Sequence, residues 1–260
     1  MPFNQIDGIH YFSFEIFPPA LTQAVFARRG GVSPAPWETL NVGGTVGDEA
    51  ARVHENRTRS FAAVGRSLES AFDVWQVHSA DAVLARAPRP SGEPHQKADI
   101  MFTDRPEVTL YMRFADCVPV LLYDPQKAVV GIAHAGWLGT VRGASRAAVQ
   151  TMIQAYGSDP ADILAGIGPS IGVDHYEVGP EVVAQMEQAF GGEGRQLIET
   201  RAGRTYLDLW AANKIQLARV GVEQVEVAGL CTACHLDDWY SHRAEKGKTG
   251  RFGALIALPA

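Results

Sequence analysis

Hydrophobic positions in this chain fall into short, nearly unbroken runs separated by polar, turn-rich segments. Phe72–Val77, Ala82–Arg86, Val108–Phe114, Val118–Tyr123, Ala128–Ala133, Ile163–Ile167, Val225–Ala228 and Phe252–Leu258 read as strands. Most lack apolar–polar alternation, the mark of strands covered on both faces. Between them the pattern takes on helical spacing. Asp48–Val64 opens with Asp48-Glu49, two acidic residues favourable at the positive end of a helix. Thr140–Tyr156 lines up Val141, Ala144, Ala148, Met152 and Ala155 on one face and stops at Gly157. Pro180–Phe190 starts with proline at a first helical position. Asp208–Val220 brings Leu209, Ala212, Ile215 and Leu217 near one face. Strands mixed with helices predict a layered α/β or α+β sheet architecture.

Size and composition narrow this picture. For 260 residues, surface scaling predicts roughly 11,000 Å² exposed out of about 41,000 Å² unfolded, enough burial for one large core. Ala87–Pro94 is rich in turn formers but reads as a surface loop, so residues 1–260 are expected to form one domain. At 46% hydrophobic and 20% charged, the chain is neither disordered nor fibrous. A formal net charge of −6 provides no general attraction for nucleic acid or an anionic membrane. Three cysteines suit a reducing compartment. The first basic residue is Arg28, and the apolar stretch Ile16–Ala27 is broken by Pro18-Pro19. A secretory signal or membrane span is not expected there. The expectation is a cytoplasmic monomer or small homo-oligomer.

Three residues carry candidate chemistry. His78 follows Val74-Trp75-Gln76-Val77, Cys117 lies in Ala115-Asp116-Cys117-Val118-Pro119, and His134 lies in Gly131–Trp137. Each falls at the end of a strand-like run, where a rigid sheet presents reactive groups. A thiolate and two imidazoles suit Zn²⁺, and three protein ligands leave a position open for water or substrate. The separations of 39 and 17 residues match no local metal motif. A buried thiol with two hydrogen-bonded histidines satisfies the same pattern.

Further matches run almost the length of the chain. They comprise Arg29-Gly30-Gly31-Val32-Ser33, Leu40-Asn41, Val46-Gly47-Asp48, Glu55-Asn56-Arg57, Gln76-Val77-His78 and Ala98-Asp99. Ala115–Leu121, Ala133–Trp137, Gly168–Gly172, Tyr176–Gly179 and Leu207-Asp208 follow. Cys231-Thr232, Ser241-His242-Arg243 and Thr249-Gly250-Arg251 complete the set. With these residues the chain resembles the laccase-domain (YfiH-type) family, once named multicopper polyphenol oxidases and later purine nucleoside phosphorylases. The resemblance implies a three-layer α/β/α sandwich with a mixed sheet, related to cysteine hydrolase folds. It implies that His78, Cys117 and His134 bind zinc. It also implies action on purine nucleosides, either phosphorolysis of adenosine, inosine, guanosine or methylthioadenosine, or deamination of adenosine.

Within that expectation a zinc ion would activate water for attack at purine C6. Asp116 is the candidate proton shuttle, and turn capping or support of a ligand is its alternative. Arg57, Arg243 and Arg251 are candidate phosphate holders. Asn41 is a candidate for base or ribose binding, or simply a turn residue. Trp137 and Tyr240 are candidate pocket walls. The chain departs from the family pattern at Leu138, commonly Arg, and at His242 and Ala244, commonly Tyr and Arg. Two fewer guanidiniums near the site would weaken phosphate binding more than zinc binding.

Other readings compete. Cys231-Thr232-Ala233-Cys234-His235 formally matches a c-type haem motif, but the resemblance covers only Cys231-Thr232, and the export that haem attachment needs is not expected. A copper laccase would need closely spaced histidine pairs, and no two of the eight histidines are separated by one residue. Cu²⁺ can still occupy a Cys/His₂ site adventitiously. Cys117 as a nucleophile with His134 or His78 as base would make an amide hydrolase, a chemistry suited to editing peptidoglycan precursors. A non-enzymatic protein with a structural zinc would need a fourth ligand, for which Cys231 is a candidate.

Overall fold

The computed structural model describes residues 3–259. The chain opens with β1 (Phe3–Ile6), β2 (Ile9–Phe12) and β3 (Thr22–Phe26), followed by α1 (Ala50–Ala63). β4 (Ala71–Phe72), β5 (Ala82–Leu84), β6 (Ile100–Thr103), β7 (Thr109–Phe114), β8 (Val118–Asp124) and β9 (Val129–Ala135) come next. Then follow α2 (Trp137–Val141), α3 (Ala144–Tyr156), β10 (Leu164–Ile167) and α4 (Pro180–Phe190). The chain closes with β11 (Ile198–Arg201), β12 (Arg204–Leu207), α5 (Leu209–Arg219), β13 (Gln224–Val227) and β14 (Phe252–Ala257).

The expected mixed α/β layering is present, with its sheet layer doubled. One six-stranded sheet runs β1-β2-β3-β14-β7-β4 and the other β13-β10-β8-β9-β6-β5, each combining parallel and antiparallel pairs. The sheets bury a shared core in which Met112, Phe114 and Ile256 of the first meet Met101, Leu121 and Ile132 of the second. The opposite face of the second sheet, through Phe102, Val120 and Leu122, packs on Ala148, Val149 and Met152 of α3 and on Leu217 of α5. On the first sheet, Tyr111 and Leu255 face Phe61 and Ala63 of α1. Neighbouring residues such as Leu121 and Leu122 are thus buried against different partners, which is why these strands show no polar alternation. Each such large side chain contributes roughly 1.5–3 kcal/mol by leaving water. The accessible surface, 11,099 Å², matches the scaling expectation.

Two elements differ from the sequence pattern. Within Phe72–Val77 only Phe72 belongs to a sheet strand, and Trp75 adds an isolated parallel bridge to Lys97. On either side of Trp75 the Val74 carbonyl accepts from Arg113 at 2.6 Å and the Val77 amide donates to Asp99 at 3.0 Å, so side chains satisfy these two backbone groups. The helix expected over Thr140–Tyr156 is two helices, interrupted at Gly143 with φ at 84°. Glycine tolerates this left-handed conformation and lets the chain turn onto the sheet. Asp208 caps α5 by accepting from the Ala211 amide at 2.9 Å. No helix among the described residues is long and apolar enough to cross a membrane.

The register of the second sheet sets up the site. In the β8–β9 pair Val118 lies opposite Ala135 and Pro119 opposite His134. In the β6–β9 pair Ile100 lies opposite Ala133. Cys117 and Asp99, each immediately before its strand, therefore flank the end of β9 that carries His134.

Candidate metal-binding active site

The Cys117 sulfur and nitrogens of His78 and His134 all lie within 4.8 Å of one another. His78 is exposed, Cys117 half-buried and His134 buried. Cys117 Sγ and His78 Nε2 are 3.9 Å apart. His134 Nδ1 meets Asp99 Oδ1 at 2.8 Å, leaving Nε2 as its available ligand atom. The second Asp99 oxygen accepts from the Val77 amide, the Ser79 amide at 2.6 Å and the Ser79 hydroxyl. One fully buried carboxylate thus orients His134 and also shapes the turn that presents His78. Arg142 secures the same turn by donating to the His78 carbonyl at 2.7 Å. His78 and Asp116 hold positive φ angles of 58° and 78°. Left-handed backbone costs about 1–2 kcal/mol in a non-glycine residue; the Asp99 and Arg142 bonds hold it at His78, and the Ile171 amide, donating to the Asp116 carbonyl, holds it at Asp116.

Electrostatics follow from the packing. Burial raises the Asp99 carboxyl, but bonds from His134, Ser79 and Val77 outweigh it and hold the group at about 2. An ionised Asp99 accepts only, so His134 carries its proton on Nδ1. Burial raises the Cys117 thiol, and the charge and hydrogen bonding of His134 and His78 bring it well below the usual thiol range. Burial lowers His134, while Cys117 and Asp99 raise it above the ordinary imidazole value. Both shifts share one cause, the mutual attraction of Cys117 and His134, which favours the charged form of each while no cation is bound. The donor set fits a thiophilic divalent cation: one thiolate, two imidazoles and a carboxylate behind one imidazole. Gly136 leaves the needed space, because a Cβ there would come within 2.6 Å of Cys117 Sγ and 3.2 Å of His78.

These groups line a cleft of about 580 Å³ that includes Arg57, Arg113, Arg251 and His242. This volume is in the usual range for small-molecule sites. Arg57 donates to the Val42 carbonyl at 3.0 and 2.8 Å, and Arg251 to the carbonyls of Thr249 and Gly250. Both bond carbonyls rather than carboxylates, so their charge remains available to a ligand. Burial lowers both guanidinium pKa values, though arginine stays protonated. Among the described residues no methionine lines the cleft.

Residues 22–259 match the family model described as multi-copper polyphenol oxidoreductase laccase. The chain belongs to this laccase-domain family. It is 40% identical over 240 residues to a Deinococcus radiodurans protein named purine nucleoside phosphorylase, covering 92% of this chain and 90% of that one. It is 36% identical over 240 residues to purine nucleoside phosphorylase YlmD of Bacillus subtilis, covering 89% and 86%. YlmD from Geobacillus stearothermophilus superposes with a TM-score of 0.93 at 33% identity, covering 100% of this chain and 99% of that one. The hypothetical protein YfiH of Bacillus licheniformis gives 0.91 at 34%, covering 99% of each.

Within this laccase-domain framework the other candidate residues separate. Arg57 and Arg251 face the cleft, while Asn41, Asp116, Trp137 and Arg243 are not among its lining residues. Asn41 is fully buried: Oδ1 accepts from the Gly43 and Arg251 amides at 2.9 Å each, and Nδ2 donates to Asp48 at 2.9 Å. Both Asp116 oxygens are engaged, one by the Thr232 hydroxyl and the other by the Arg243 amide, each at 2.7 Å. Trp137 packs against the helical-layer core, and the Tyr240 hydroxyl donates to the Trp37 carbonyl. Arg243 donates to the Glu177 carbonyl and stacks over Tyr176. Cys231, the candidate fourth ligand, groups instead with Asp174, His175 and Cys234. Asp99 and Arg142 are positioning residues that sequence reasoning misses. Ala98-Asp99 is visible as a matching dipeptide, but the partner of Asp99 is 35 residues away.

A buried ion-pair cluster supports the cleft wall. Burial raises the Asp73 carboxyl, but Arg113, Arg89 and His95 outweigh it and hold it below the usual range. A depressed carboxylate stabilises the fold above its unfolded pKa, about 3.9, and that stability is lost as pH falls through the folded value. Asp73→Asn is expected to cost about 2 kcal/mol at pH 7. The gap in Tm between variant and wild type should narrow between pH 5 and pH 3, and a constant gap would contradict this assignment.

Proposed function

We propose that this protein is a zinc-dependent purine nucleoside enzyme, holding the metal through His78, Cys117 and His134 and cleaving nucleosides with phosphate or deaminating adenosine. The observation that carries this reading is a thiol–imidazole cluster opening onto a nucleoside-sized cleft with two arginines not paired to carboxylates. The names of its relatives favour the same substrate class. When bound, zinc would supply Lewis-acid charge at its open position. Asp99 keeps His134 in the tautomer that presents Nε2, and Gly136 keeps the ligand side chains from being crowded. Arg57 and Arg251 would hold phosphate against the ribose, where positive character develops as the glycosidic bond breaks. Asp116 acts by positioning, clamping the turn that carries Cys117 rather than shuttling a proton.

A second reading is favoured by one observation: Cys117, His134 and Asp99 form a thiol–imidazole–carboxylate chain like that of a cysteine hydrolase. One experiment separates the two. Adenosine turnover would be followed by chromatography, with and without phosphate, on protein of quantified zinc content. Adenine or inosine formed in proportion to zinc supports the proposal, and phosphate dependence tells phosphorolysis from deamination. Zinc-loaded protein that forms neither, while metal-free protein cleaves amide substrates, would overturn it.

A further inference from the structure

A second set of metal-ligating side chains lies outside the cleft. Asp174 and His175 are adjacent on one loop, and Cys231 and Cys234 form a C-x-x-C turn on another. One ligand atom from each lies within 4.8 Å of all the others. Cys234 Sγ is 2.9 Å from Asp174 Oδ2 and 3.4 Å from His175 Nδ1. Cys231 Sγ is 3.7 Å from His175 Nδ1. Around a tetrahedral zinc with Zn–S near 2.3 Å and Zn–N near 2.0 Å, donor atoms stand roughly 3.3–3.8 Å apart. The two sulfur–nitrogen distances are already of this size.

The surrounding backbone supports the same arrangement. The Gly172 amide donates to Cys231 Sγ at 3.2 Å, a bond that favours a thiolate ligand. The His175 amide closes a turn onto the Gly172 carbonyl, and the Cys234 amide closes one onto the Cys231 carbonyl. At Gly172 a Cβ would come within 2.6 Å of Asp174 Oδ1 and 3.1 Å of Cys231 Cβ, so glycine keeps the two loops in close approach.

We propose that Asp174, His175, Cys231 and Cys234 form a second, structural site for a thiophilic divalent cation, with zinc as its ion. Four protein ligands close a tetrahedral shell and leave no place for substrate, unlike the three at the cleft. The site ties two loops that converge on the Cys117 turn. From the first, the Ile171 amide donates to the Asp116 carbonyl at 3.0 Å; from the second, Thr232 donates to the Asp116 carboxylate. A cation here clamps the backbone behind the Cys117 thiol.

The test is zinc stoichiometry by mass spectrometry on four full-length proteins, purified under reducing conditions, loaded with zinc and dialysed. Wild type should retain two equivalents, Cys117→Ala one, Cys234→Ser one and the double variant none. Cobalt loading gives a second readout: Cys117→Ala should keep a thiolate-to-metal charge-transfer band that adding Cys234→Ser removes. Should Cys234→Ser fail to fold, His175→Ala, at an exposed position, should lose the same equivalent. Zinc stoichiometry unchanged by both Cys234→Ser and His175→Ala, or a Cys231–Cys234 disulfide persisting in zinc-treated reduced protein, would overturn the proposal. A cleft site that binds no zinc would instead appear as one equivalent in wild type and none in Cys234→Ser, which separates failure at the cleft from failure here.

Discussion

Cys117→Ala is expected to abolish metal retention at the cleft and to reduce nucleoside turnover by about 10³-fold or more. Among the described residues three ligating side chains meet there, and removing the sulfur leaves two imidazoles with no anionic ligand. Losing several kcal/mol of Lewis-acid charge stabilisation corresponds to a rate loss of this size. The fold should survive, because Cys117 is half-buried and lies before β8 rather than within it. The Tm should stay within a few degrees, and the Asp73 cluster should titrate as in wild type. Cleft zinc retained in this variant, measured together with Cys234→Ser so that the two sites are counted separately, would remove Cys117 from the ligand set.

Asp99→Asn is expected to weaken zinc binding at the cleft by roughly 10–100-fold, the usual effect of losing a partner behind a ligand. Asparagine preserves the shape but has one acceptor oxygen where aspartate has two. Its amide can satisfy His134 Nδ1 or the donors of Val77 and Ser79, not both. The group left over is buried, at a cost of about 1–3 kcal/mol, or several degrees in Tm for a chain of this size. The signature is combined loss: affinity measured against a competing chelator and Tm should fall together. Wild-type zinc affinity in Asp99→Asn would show that His134 does not depend on this carboxylate.

Much of the molecule is legible from local pattern alone. The apolar runs of β7, β8, β9 and β14 are continuous because both faces of each sheet are covered, and nearly every residue along these strands is buried. Gly157 ends α3 in the left-handed conformation that glycine adopts readily, and Pro180 starts α4 where its missing amide hydrogen costs nothing. The laccase-domain motifs point to His78, Cys117 and His134, and the register of β8 against β9 explains why two of them meet.

Features that depend on distant partners are not legible in this way. Asn41 and Asp116 lie in matching motifs and carry functional side-chain types, yet their hydrogen bonds reach residues more than a hundred positions away. A side chain satisfied by such partners looks, in sequence, the same as one free to bind substrate. Likewise, nothing in Asp174-His175 predicts Cys231 and Cys234, because 56 residues separate His175 from Cys231. Amino-acid order alone is enough to mark the buried segments, the starts and stops of helices, the family and the three main candidate ligands. These follow from local periodicity, backbone conformational preference and residue identity. Three features arise only on folding: two sheets share the core, Asp99 orients one candidate ligand while shaping the turn of another, and the Cys231–Cys234 thiols meet Asp174 and His175. Each is a pairing between remote segments, and sheet register together with buried hydrogen bonding selects it.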